Sequence, residues 1–126
     1  MLSREKEAKE KIDYKAMFEY LEEQLPRTNV EKLKKVLPDV LREINGELGE
    51  LSLDMEVGLL IHISCCVDRL IGKEATATNP KKAMILAKYE KEFKKLLKMI
   101  KPLEKAFHII INDDEIANIL TIIYQL

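Results

Sequence analysis

The chain has 126 residues, 47% of them hydrophobic and 34% charged, and its 21 Lys and Arg against 22 Asp and Glu leave a net charge of −1. That length suits one domain with a real core and needs no metal or disulfide staple, while near neutrality argues against nucleic-acid binding by the domain as a whole, since such affinity comes mostly from neutralising phosphates. Only four Gly, four Pro and no Trp favour helices over a strand-and-turn architecture.

From Ser3 to about Leu25 the pattern is helical, a charge-rich entry that gains apolar residues at Ile12, Ala16, Phe18, Tyr20, Leu21 and Leu25. Residues 1–15 read as a charged lead-in and the start of the first helix, and residues 16–126 as the bundle proper. The first ten residues are expected to fray, and such an entry suits a fragment of a longer polypeptide. MLSREKEAKEKI is charged rather than apolar, so it does not read as a secretory signal, and no run approaches the ~20 residues of a membrane span.

Pro26 stops the first helix, and Thr28 with Glu31 reads as a capping box for the next. Leu33, Val36, Leu37, Val40, Leu41, Ile44 and Leu48 then recur at helical spacing. Pro38 is expected to kink or split this second helix, because it lacks an N–H and clashes with the preceding turn. Gly46 and Gly49 mark its end, and Ser52 is the expected cap of the third.

The stretch DMEVGLLIHISCCVDRLIG, Asp54 to Gly72, is the longest apolar run, and the rest of the chain reads as built to cover it. At about 100° per residue, Leu59, Leu60, Ile63, Cys66, Val67 and Leu70 share one broad face. His62 lies at the margin of that face, with Gly58, Cys65 and Arg69 on its side. Arg69 stands two turns on, roughly 10 Å along the axis, and a long arginine can reach back toward an imidazole because helical side chains lean toward the N-terminus. A histidine so placed could hold an anion or become one. Cys65 and Cys66 diverge by about 100° and cannot take ordinary disulfide geometry, so they read as reduced core residues. With two distant histidines they supply too few ligands for a zinc site.

KEATATNP follows as a short polar connection beside His62, and Asn79 with Pro80 supplies an N-cap and N1 pairing for a helix to about Ile100. Leu86, Tyr89, Phe93, Leu96, Leu97 and Ile100 form its apolar stripe, with Lys88, Lys91, Lys94, Lys95, Lys98 and Lys101 opposite. The lysines read as a solvated face, in preference to a docking surface for an acidic partner. Pro102 ends or bends that helix, LEKAFHIIIN is read as a turn and an extended piece, and Asn112 with Glu115 makes a capping box for a last helix to Leu126. The expectation is an all-α, compact bundle of about five helices joined by short loops.

There is no glycine-rich phosphate loop, nucleophile elbow, HExxH or CxxC pair, so no catalytic residue, cofactor or metal is expected. Asp113, Asp114 and Glu115 read as first-turn acids that complement the helix dipole rather than as catalysts. His108 beside a loop reads as structural or surface. His62 is different in kind, because imidazole acts as base, ligand or phosphoryl acceptor near neutral pH. The plainer reading of His62 is a core-edge residue with its ring hydrogen-bonded.

The combination GLLIHISCCVDRL, a charged helix, and KPLEKAFHIIINDDEIANIL resembles the phosphotransferase-system (PTS) regulation domain, PRD, from about Tyr20 to Leu126. It is most similar to the form in sigma-54-dependent, levanase-operon-type activators of sugar operons in Gram-positive bacteria; antiterminators carry related domains. The resemblance implies a bundle of five helices that tends to dimerise and a histidine reversibly phosphorylated by the phosphocarrier HPr or an EIIB component. The family's histidine followed seven residues later by arginine matches His62 and Arg69, which gives His62 as phosphoacceptor and Arg69 as the residue that pairs the phosphate. The acidic helix start that leads to an aliphatic stretch matches Asp114, Glu115, Ile116 and Ile119. Where many antiterminator members carry a second histidine this chain has Ile122, so His62 alone is carried over as acceptor. A cytoplasmic fragment of a larger transcriptional regulator follows, a homodimer without membrane association that reaches DNA only through other domains. The competing reading is a helical dimerisation domain without phosphorylation. A ligand-binding bundle or enzyme would instead need a pocket joining His62, Arg69 and a carboxylate of perturbed pKa.

Overall fold

A computed structural model describes residues 11–75 and 78–126. The helical start at Ser3, the fraying of the first ten residues, and Thr76 and Ala77 of the polar connection lie outside the described residues; residues 11–13, expected within the first helix, are not helical, because Asp13 Oδ1 accepts from Ala16 N at 3.1 Å and caps a helix that starts at Tyr14. The described chain is all-α: α1 (Tyr14–Gln24), α2 (Val30–Glu47), α3 (Leu53–Ile71), α4 (Lys82–Lys88), α5 (Glu90–Met99), α6 (Lys101–Phe107) and α7 (Asp113–Tyr124). The bundle is as expected, but two of its later boundaries are not. The single helix expected up to Ile100 breaks at Tyr89, where φ −116° and ψ 39° leave the helical region. LEKAF, expected to be a turn, is helical within α6. Pro102 sits in the first turn of α6, where its missing N–H has no partner to lose, and Leu103 and Phe107, one turn apart, bury their side chains.

Local capping explains most of the remaining boundaries. Ser52 Oγ accepts from Met55 N at 3.2 Å, and Asn112 Oδ1 accepts from Glu115 N at 3.1 Å, as their positions predict. The cap of α2 is Asn29, which accepts from Lys32 N at 3.1 Å, and not Thr28. The Thr28 hydroxyl is drawn away to a buried carboxylate described below. Asn79 makes a turn instead of a cap: its Oδ1 accepts from Lys81 N at 2.9 Å and its carbonyl from Lys82 N at 3.0 Å, so α4 begins later than expected. Pro38 does not split α2, which runs continuously past it. Leu33, Leu37, Leu41 and Ile44 are buried along that helix, and burial worth about 1.5–3 kcal/mol per large aliphatic side chain holds it together across the missing bond.

The core lies between α2, α3, α5 and α7, with α3 packed along α7 and α2 along α6. Leu59, Leu60, Ile63 and Val67 of α3 and Ile116, Ile119, Leu120 and Ile123 of α7 are buried within it. Tyr124 stacks on Tyr89 at 4.9 Å and donates its hydroxyl to Leu48 O at 3.0 Å, fixing the end of α7 against α2 and the α4–α5 break. Lys88, Lys91, Lys94, Lys95, Lys98 and Lys101 are all exposed, as a solvated face requires. No helix among the described residues is long and apolar enough to cross a membrane.

Candidate functional site

The side of α3 that carries His62 and Arg69 faces the first turns of α7, and what joins the two residues is Glu115. The cap at Asn112 starts α7 so that Glu115, three residues on, shares the inward face with Ile119. Its side chain is 1% exposed. Arg69 Nη2 donates to Glu115 Oε2 at 3.0 Å. Asn118 Nδ2 donates to Oε1 at 3.4 Å, and His62 Nε2 lies 3.6 Å from the same oxygen, just outside hydrogen-bonding distance. His62 Nε2 is itself buried. Arg69 was expected to stand above the imidazole; in the structure it reaches the far oxygen of a carboxylate that lies between them.

Burial alone would push the Glu115 pKa up. The facing His62 ring, the donors at Arg69 and Asn118, and the Arg69 charge outweigh that and bring it from 4.5 to about 2, so the carboxylate is ionised at neutral pH. The same group explains the neighbouring thiol. Burial, reinforced by the negative charge of Glu115, pushes Cys66 up to about 12, so it stays a protonated, inert core residue. Cys65 is half-buried, and both cysteines are free thiols.

Two further polar networks brace the site. Asn79 ties the polar connection to α7: its N–H donates to Asp114 Oδ1 at 3.0 Å, and its Nδ2 donates to Asn118 Oδ1 at 2.9 Å and Thr121 Oγ1 at 3.2 Å. Asn118 therefore touches both Glu115 and the loop that leads into α4. On the other side of α3, Asp68 is buried and accepts from Thr28 Oγ1 at 2.8 Å, Arg27 N at 2.9 Å and Arg27 Nη1 at 3.2 Å. Arg27 also pairs with Glu74, whose N–H donates to Arg69 O at 2.9 Å.

Of the residues singled out in the sequence, His62 and Arg69 come together. His108 does not join them; it is exposed and ends α6 in the left-handed region at φ 54°. Ile122 is half-buried on α7, two turns beyond Glu115. Reading Glu115 only as a dipole-complementing first-turn acid is corrected: its carboxylate turns inward to the His62 side of α3. The available signal was its i, i+4 spacing to Ile119 on the apolar face. Asp68, Arg27 and Thr28 were missed, and the signal there was a single acid in an otherwise apolar turn, CCVDRL.

The bundle sets one histidine at its rim, seated on a buried carboxylate and backed by arginine. A family model described as PRD domain matches residues 34–126. The chain belongs to the PRD family, and the matched span contains His62, Arg69 and Glu115 together with most of α2 and all of α3 to α7. It is thus a PTS regulation domain of the kind found in regulators, a regulatory rather than a catalytic class of domain. Comparison with curated proteins and with solved structures gave no match.

Proposed function

We propose that His62 accepts a phosphoryl group from a PTS phosphocarrier, HPr or an EIIB component, and that its phosphorylation state controls a cytoplasmic, dimeric regulator of a carbohydrate operon, of the sigma-54-dependent type. The bundle over residues 16–126 is one part of that regulator, and DNA is bound by other parts. The observation that carries this reading is the seating of a half-buried imidazole on an ionised, buried Glu115 with Arg69 beside it. On phosphorylation a neutral ring there gains a phosphoryl group of about −2 charge, by analogy with other phospho-residues. Such a charge next to Glu115 is repelled by it and attracts Arg69. Because Asn118 touches both Glu115 and Asn79, a shift at the carboxylate is felt in the polar connection and thereby in the packing of α4. A change of a few kcal/mol in that packing is enough to reset a two-state equilibrium. The test is transfer of labelled phosphate through purified PTS components to wild type and His62→Ala. Acid-labile label in the wild type alone supports the reading, and label retained in the variant places the acceptor elsewhere.

A second reading, a dimerisation domain without phosphorylation, is favoured by the half-buried apolar stripe Leu86, Tyr89, Phe93 and Leu97 and by Ile122 in place of a second histidine. Dimers in sedimentation with no label from active donors would support it.

A further inference from the structure

The two ring nitrogens of His62 are not equivalent. Nε2 is buried and faces Glu115 Oε1 at 3.6 Å, although the side chain as a whole is 26% exposed. What exposure the side chain has therefore lies on atoms other than Nε2. The approach to Nε2 is closed by α7.

Glu115 is fixed in the orientation that enforces this. Its Oε2 is held by Arg69 at 3.0 Å and its Oε1 by Asn118 at 3.4 Å, and at 1% exposure it has no water to turn toward. The only ring atom it can satisfy is an Nε2–H, over a gap that closes by a few tenths of an ångström. An Nε2–H tautomer leaves the lone pair on Nδ1, because neutral imidazole carries one donor and one acceptor nitrogen.

We infer that Nδ1 of His62 is the phosphoryl-accepting atom and that Glu115 is the positioning residue that selects it by holding the Nε2–H. The inference rests on the phosphoacceptor reading above and adds the atom and the residue that chooses it. In the transfer, the Nδ1 lone pair forms the new P–N bond while the P–N bond of a phosphohistidine donor breaks, its electron pair returning to the donor ring. No proton leaves His62. Its ring gains a positive charge, and the Nε2–H is retained against the Glu115 carboxylate, which balances that charge.

The experiment is long-range 1H–15N and 31P NMR on the 15N-labelled chain, before and after phosphorylation by phosphoenolpyruvate, enzyme I and HPr, with wild type and Glu115→Gln. Expected are the Nε2–H tautomer in the unmodified wild type, phosphorus coupled to Nδ1 after transfer, and transfer at least about tenfold slower in Glu115→Gln. Phosphorus on Nε2 of His62, or an Nδ1–H tautomer in the unmodified wild type, would overturn the inference while leaving His62 as acceptor. No phosphorus on His62 with active donors would overturn the phosphoacceptor reading and this inference with it. The tautomer measurement needs only the wild type, so it stands even if Glu115→Gln fails to fold.

Discussion

Arg69 in the last turn of α3 donates to Glu115 in the first turn of α7 at 3.0 Å, which sets a cation at a helix C-terminus against an anion at a helix N-terminus. Both helix dipoles favour that pairing, and burial sharpens it. The first prediction concerns its pH dependence. The folded pKa of Glu115 is depressed from 4.5 to about 2, so its contribution is fully present above the unfolded value and is lost as pH falls from about 5 toward 2. The full effect is roughly 3 kcal/mol at 1.36 kcal/mol per pKa unit. Urea unfolding between pH 7 and pH 3 is expected to show wild type losing more stability than Glu115→Gln across that window. Parallel profiles would refute it.

Asp68 is the second point of leverage. It is buried and accepts from the Thr28 hydroxyl, the Arg27 N–H and the Arg27 guanidinium, so Asp68→Ala strands three donors beside a partly buried charge. A loss of about 3 kcal/mol is expected, against about 1 kcal/mol for Thr28→Val, which removes one bond. Equal losses for the two variants in chemical denaturation would contradict this account.

Gly72 follows from the same network. Its φ is −78°, which any residue adopts, so alanine there would ordinarily stabilise by about 0.4–1 kcal/mol. A Cβ, however, would stand 2.5 Å from Arg27 Nε and push the guanidinium off Asp68 and Glu74. Gly72→Ala is expected to destabilise by about 1 kcal/mol in the wild type and to become neutral or stabilising in an Arg27→Ala background. Thermal melts of the four proteins decide it, and the same sign in both backgrounds would count against the clash.

Cys66, buried and raised to about 12, should resist alkylation because the thiolate is the reactive form. Iodoacetamide at pH 8 is expected to add no more than one group to the native chain and two after unfolding in urea. Native mass spectra with two adducts forming at one rate would rule this out.

The helical pattern of the third segment, its cap at Ser52 and the buried face from Leu59 to Val67 were all legible in the sequence, because period and capping are local properties. The His62–Arg69 spacing was legible for the same reason. The fate of Glu115 was not: its backbone role as a first-turn acid is local, but the direction of its side chain depends on α3 packing along α7. Thr28 shows the same limit. Its position suits a cap, yet a buried carboxylate forty residues away competes for the hydroxyl and wins, which moves the cap to Asn29. Pro38 and LEKAF went astray in the opposite direction, since burial of Leu37, Leu41, Leu103 and Phe107 sustains helix where proline alone predicts a break.

Asp68 and Arg69 are consecutive in α3, about 100° apart around its axis, and each is anchored to a different neighbour: one to the loop before α2, the other to α7. Together they fix the azimuth of the helix as two guy ropes fix a mast. Turning α3 to slacken one anchor strains the other, so a charge added at His62 finds no relief in axial rotation. The response is left to side chains, first of all to Arg69, which is only partly buried.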